Sequence, residues 1–171
     1  MSPPGRMWHF TSAWPLPVDT TRAWEVLTDT PSWPHWWPGL RVVPIRTTEH
    51  GWIGARSALD FRAPGYRLRL GLEVSEAQPP QRPGEPAAVV LRAVGDLRGV
   101  ARARIEPTGV AGAAAPSCLV RIDWRVRTVR PALRVGERLA PWALAASHAH
   151  VMSAGERGLR TYLETPGRPT R

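Results

Sequence analysis

Between Leu40 and Val129 the chain changes side-chain character at every second residue, in segments broken by turn residues, and this commits most of its length to one antiparallel sheet. The predicted strands are residues 41–47, 55–62, 66–77, 88–94, 97–106 and 118–129. Pro64-Gly65 suits a tight turn and Gly95-Asp96 a two-residue hairpin loop, whereas 78–86 and 108–116 read as longer loops. Tyr66, Leu68, Leu70, Leu72 and Val74 share a face, as do Val120, Ile122, Trp124 and Val126. The opposite face carries Arg67, Arg69, Glu73, Arg121, Asp123, Arg125 and Arg127, so one side of the sheet is wet.

Alternation over residues 7–14 adds a first strand, with Trp8, Phe10, Ser12 and Trp14 on one side and Pro15 and Pro17 expected to stop it. Asp19 is placed to cap a helix that ends near Asp29, with Val18 and Ala23 as its hydrophobic staple. Thr30-Pro31 is expected to cap and open a second short helix, in which Trp33, Trp36 and Trp37 fall at i, i+3 and i+4 before Pro38-Gly39 ends it. From Pro131 to about Leu163 the period is helical. Leu144, His148, Val151, Met152, Gly155, Leu159 and Tyr162 form its apolar stripe, and Pro141 is expected to kink it or divide it in two.

Seven strands with one apolar face need a cover, and only the last helix is long enough to provide it. A helix is about 10 Å across, so it cannot fill the trough of a curved sheet of that width. The expected result is an α+β helix-grip domain spanning 1–171, with its core over about 7–164, a frayed tail from 165, and a leftover apolar cavity.

Several stretches also resemble the polyketide cyclase/dehydrase and lipid-transport family of the SRPBCC (START-like) superfamily. They are Trp24-Glu-Val-Leu-Thr-Asp29, Trp33-Pro-His-Trp-Trp-Pro-Gly-Leu40, Gly95-Asp-Leu-Arg-Gly99, Trp124, and His148-Ala-His-Val-Met152 leading to Gly155-Glu-Arg-Gly-Leu159. The resemblance covers almost the whole domain. It implies a helix-grip fold and a pocket for a hydrophobic ligand, and it implies no particular reaction.

His148 lies on the apolar stripe and is expected to face the pocket, where it would hydrogen-bond a ligand carbonyl or phenol, or serve as a general base. The alternative is a buried histidine satisfied by a backbone carbonyl or by a Trp-lined wall. Trp36 and Trp37 either stack on a flat ligand or plug the short helices onto the sheet rim. Phe61, Tyr66, Leu68, Leu70, Ala101, Ile122, Trp124 and Met152 are candidate pocket wall by strand or helix phase. Arg92 depends on register: a two-residue Gly95-Asp96 loop aims it inward with Gly99 and Ala101, while a bulge turns Val89, Leu91 and Ala93 inward and leaves it wet.

The formal net charge of +9 raises the prior for a polyanionic partner, but all 23 basic residues are Arg and they are scattered through nearly every element. Nucleic acid is therefore a minor alternative, and an interaction module using the Arg-rich outer face a third one. Cys118 is the only cysteine, and His35 and His50 lack metal-ligand spacing, so no disulfide, metal or cofactor is expected. No glycine-rich nucleotide motif or G-x-S-x-G occurs. With no apolar run long enough to span a bilayer, the expected setting is the cytoplasm. The leading functional expectation is binding of a small hydrophobic molecule such as a polyketide, lipid or aromatic metabolite. A cyclase or dehydratase using His148 as acid/base is the alternative, and the pattern is silent on oligomeric state.

Overall fold

A computed structural model of the protein describes residues 6–46, 51–63, 66–109, 116–131, 133, 135 and 139–165. Its elements are β1 (Met7–Leu16), α1 (Thr20–Thr28), a 3-10 turn (Thr30–Ser32), α2 (Trp33–Trp36), β2 (Leu40–Arg46), β3 (Arg56–Ala63), β4 (Tyr66–Gln78), β5 (Ala87–Gly95), β6 (Leu97–Pro107), β7 (Cys118–Thr128) and α3 (Pro141–Glu164). All seven strands form one antiparallel sheet in the order β1-β7-β6-β5-β4-β3-β2. The sheet curves around α3, as the strand count and the single long helix require.

β1 runs on through Pro15 to Leu16 instead of stopping at the proline. It is an edge strand, paired only with β7, so a residue without an N–H is tolerated there. Asp19 caps α1 as expected, its carboxylate accepting the Arg22 backbone N–H at 2.9 Å. Thr30 does not cap the second helix. Its hydroxyl lies 2.9 Å from that of Ser57 on β3, so it ties the short helices to the sheet. Pro141 divides the C-terminal stretch: Ala140 has φ −147°, and Pro141 opens α3 at a position where its missing N–H has no intrahelical partner to lose. Residues 131, 133, 135 and 139 before it are helical, and 166–171 lie outside the described residues.

The β5–β6 hairpin departs from the expected two-residue loop. Gly95 remains in the ladder with Leu70, and its φ of +115° and the Arg69 carbonyl 2.8 Å from where a Cβ would stand both call for glycine. Asp96 then forms the apex. Its backbone N–H donates to the Arg69 carbonyl at 2.9 Å, and its carboxylate accepts the Arg69 N–H at 2.8 Å. The resulting register pairs Ala93 with Gly99 and Leu91 with Ala101, so Ala93 is buried and Arg92 stands exposed on the outer face. Arg92 is therefore excluded from the pocket wall, because a one-residue shift turns every side chain of a strand over.

The core lies between the concave face and the helices. Trp14, Leu16, Val120, Val126 and Leu159 are almost fully buried, with Trp33, Trp36 and Trp37 sealing the rim. Close approach of α3 to α2 rests on two glycines. A Cβ on Gly155 would stand 2.5 Å from the Trp37 ring, and one on Gly158 would stand 1.7 Å from the Trp36 carbonyl oxygen.

Candidate apolar cavity

The inward side chains of five strands, β1, β3, β4, β6 and β7, meet α3 around a narrow hollow. α3 contributes Leu144, His148, Val151 and Met152, which recur at helical spacing on one face. β1 and β7 contribute Trp8, Phe10, Trp124 and Val126, held side by side because Trp8 pairs with Val126 and Phe10 with Trp124. Phe61, Leu68, Leu70 and Leu97 form the floor and Trp37 the roof. The space open to the centre of a water molecule is about 60 Å³. A second hollow of about 70 Å³ lies beneath α1, walled by Trp33, Trp52, Leu72 and Leu91 among others.

Leftover volume is present, but it is far smaller than the width of the helix implies. Aromatic rings occupy the rest of the trough. Trp37 is stacked on Trp36 with centroids 5.3 Å apart, meets Trp14 and Phe61 edge-on at 5.5 and 5.4 Å, and donates its indole N–H to the Val151 carbonyl at 3.0 Å. That carbonyl sits on α3, so the roof is fixed to the helix.

His148 is the polar group of this wall. Its ring lies flat against Phe10, centroids 4.2 Å apart and 15° between planes, and meets Trp124 edge-on at 6.4 Å. Burial pulls the imidazole down to about 4, so it is uncharged at neutral pH. Its Nε2 and the indole N–H of Trp124 are both buried and find no hydrogen-bond partner among the described residues. A backbone carbonyl therefore does not satisfy Nε2, while the ring packs against an aromatic wall of Phe10 and Trp124. A buried polar atom without a partner costs about 1–3 kcal/mol, so these two atoms are where a polar ligand group would gain most.

Phe10, His148 and Met152 also line a surface cleft of about 370 Å³ between β1 and α3. These side chains are thus the partition between the cavity and the outside.

Of the residues expected from sequence, Trp37, Phe61, Leu68, Leu70, Trp124, His148 and Met152 converge on the cavity. Trp36 does not; it faces a separate cleft of about 450 Å³ with His35, Pro38 and Tyr162. Ala101 points inward but, lying in register between Trp124 and Leu91, is too short to reach past them. Ile122 is two residues along β7, opposite Ser12, away from His148. The side chain of Tyr66 lies outside the described residues. Trp8 and Phe10, not singled out from sequence, complete the wall, and their alternation with Trp14 was the available signal. Cys118, buried next to Val120 in the strand, is a core residue whose thiol is pushed up to about 11 by burial first and by nearby Asp19 second.

An aromatase/cyclase, Zhui, from Streptomyces sp. R1128 superposes with a TM-score of 0.64 at 15% identity, over 93% of this chain and 94% of that one. A START superfamily protein from Mycobacterium smegmatis gives 0.62 at 14% identity, over 91% and 97%. This chain has the START-like, helix-grip fold. The same architecture extends to the major latex-like protein 151 of Panax ginseng, with a TM-score of 0.58 at 9% identity over 94% of this chain and all of that one. No protein-family model matches the sequence, and neither does any curated protein. Among the described residues of this START-like chain no group of three or more His, Cys, Asp or Glu is placed to hold a metal ion, and no helix is long and apolar enough to cross a membrane.

Proposed function

We propose that the protein binds a small, flat, apolar molecule bearing one hydrogen-bonding group, with the apolar body in the cavity and the polar group on His148 Nε2. The observation that carries this is an apolar wall in which two residues, His148 and Trp124, each carry a buried nitrogen with no hydrogen-bond partner among the described residues. A benzene-sized guest fills a cavity of about 150 Å³, so occupancy requires the wall to yield. The partition is the part able to do so: displacing Phe10 from His148 joins the cavity to the β1–α3 cleft. Further support comes from the structural neighbours, one an aromatase/cyclase by name and another a START superfamily protein.

Binding is favoured over proton transfer for His148. A general acid or base works best with a pKa near the operating pH, and burial takes this imidazole well below it. As a neutral ring it offers one donor and one acceptor, which suits a phenol or carbonyl.

The test compares 2-naphthol with naphthalene by quenching of tryptophan fluorescence. 2-Naphthol is expected to bind about tenfold more tightly, the worth of one hydrogen bond to a buried group, and His148→Phe is expected to abolish that preference. No binding of either compound, or the same preference in His148→Phe, would overturn the assignment.

A further inference from the structure

The convex face of the sheet sets charge against like charge. Arg98 on β6 stands directly opposite Arg127 on β7, and Arg104 stands opposite Arg121. Opposed side chains in an antiparallel pair have Cβ atoms about 5 Å apart, close enough for like charges to destabilise the sheet. Arg121 is relieved by Glu106 at 3.6 Å. Among the described residues no carboxylate forms an ion pair with Arg98 or Arg127, nor with their neighbours Arg92 and Arg125. Arg92 and Arg125 flank Val100, which pairs with each of them, so the four guanidiniums form one patch over β5, β6 and β7.

Apolar side chains border this patch. Met7 on β1 is in register with Arg127 and is 61% exposed, and Val94, at the hairpin end of β5, is 46% exposed. No Trp, Tyr or Phe occupies the outward positions of β1, β5, β6 or β7, and His9, in register with Arg125, is the one aromatic ring there, so the face lacks the row of stacking platforms that a nucleic-acid groove uses.

Repelling guanidiniums are matched by an anion whose oxygens accept from both, and the planar donor fork suits phosphate in particular. Exposed apolar side chains next to such a pair are matched by the interfacial zone of a bilayer. We propose that the convex face of β6 and β7 docks on an anionic phospholipid surface, with Arg98 and Arg127 on headgroup phosphates and Met7 and Val94 entering the interface. This is independent of what the cavity holds.

The experiment is co-sedimentation of the full chain with phosphatidylcholine vesicles, with and without phosphatidylglycerol, over a range of salt. Binding is expected only to the phosphatidylglycerol vesicles and to weaken as salt rises. Arg98→Gln with Arg127→Gln is expected to weaken it about tenfold or more, while Arg157→Gln with Arg160→Gln, an equal charge loss on the exposed side of α3, leaves it within about twofold. Thermal unfolding should show the first pair no less stable than the parent, since it removes a repulsion. Absent binding at low salt, equal losses in the two double variants, or tighter binding to a DNA duplex than to the vesicles would each overturn the proposal.

Discussion

Replacing His148 with Phe should flatten the acid side of the stability profile. The folded site holds the imidazole at about 4, against an ordinary value of 6.5, because burial penalises its charged form. Between those values the unfolded chain takes up a proton that the folded protein refuses. Stability from this residue is therefore complete above about pH 6.5, declines as pH falls through the window, and is fully lost near pH 4, where both states are protonated. The gap amounts to about 3 kcal/mol, a large part of the margin of a domain this size. Phe removes the titration while preserving a flat ring against Phe10, and it also removes the unpartnered Nε2, so at pH 7 the variant should match or slightly exceed the parent. Asp60, held below the usual carboxylate range chiefly by its hydrogen bond to Arg67, titrates under this window and does not confuse it. Urea unfolding from pH 4 to pH 7 supplies the measurement. If parent and variant lost stability in parallel over that range, His148 would not be the buried neutral imidazole described here.

Gly158→Ala should destabilise the fold by about 2–4 kcal/mol in urea unfolding, even though alanine gains about 1 kcal/mol in helix propensity, because the added methyl meets a backbone carbonyl that cannot swing aside. Asp19→Ala should cost about 1 kcal/mol through the lost cap of α1, and Asp19→Asn should restore most of it in the same assay.

How far the sequence could be read depended on how local the deciding interaction was. Strand ends fall within a residue or two of expectation because turn residues and the period of two act within a few positions. The Gly95-Asp96 register lay beyond that reach: it turns on whether Gly95 stays paired with Leu70, some twenty-five residues upstream, and that pairing decides between the two positions left open for Arg92 in favour of the outer face. Pro15 behaved likewise, since its tolerance depends on β1 being an edge, which is a property of the whole sheet. The inward position of His148 was visible in the helical stripe, but its missing partner was not. That depends on Phe10 and Trp124, brought opposite it by pairing of the first strand with the last. Cavity size was the hardest property to anticipate. Comparing one helix with seven strands estimates the trough, yet its free volume is set by rings whose rotamers are fixed across the sheet: Trp37 by the Val151 carbonyl and Phe61, Phe10 by His148. The rings that line the trough are thus also what nearly closes it, and on the function proposed above the entry of a ligand would be governed by how readily the Phe10–His148 stack parts.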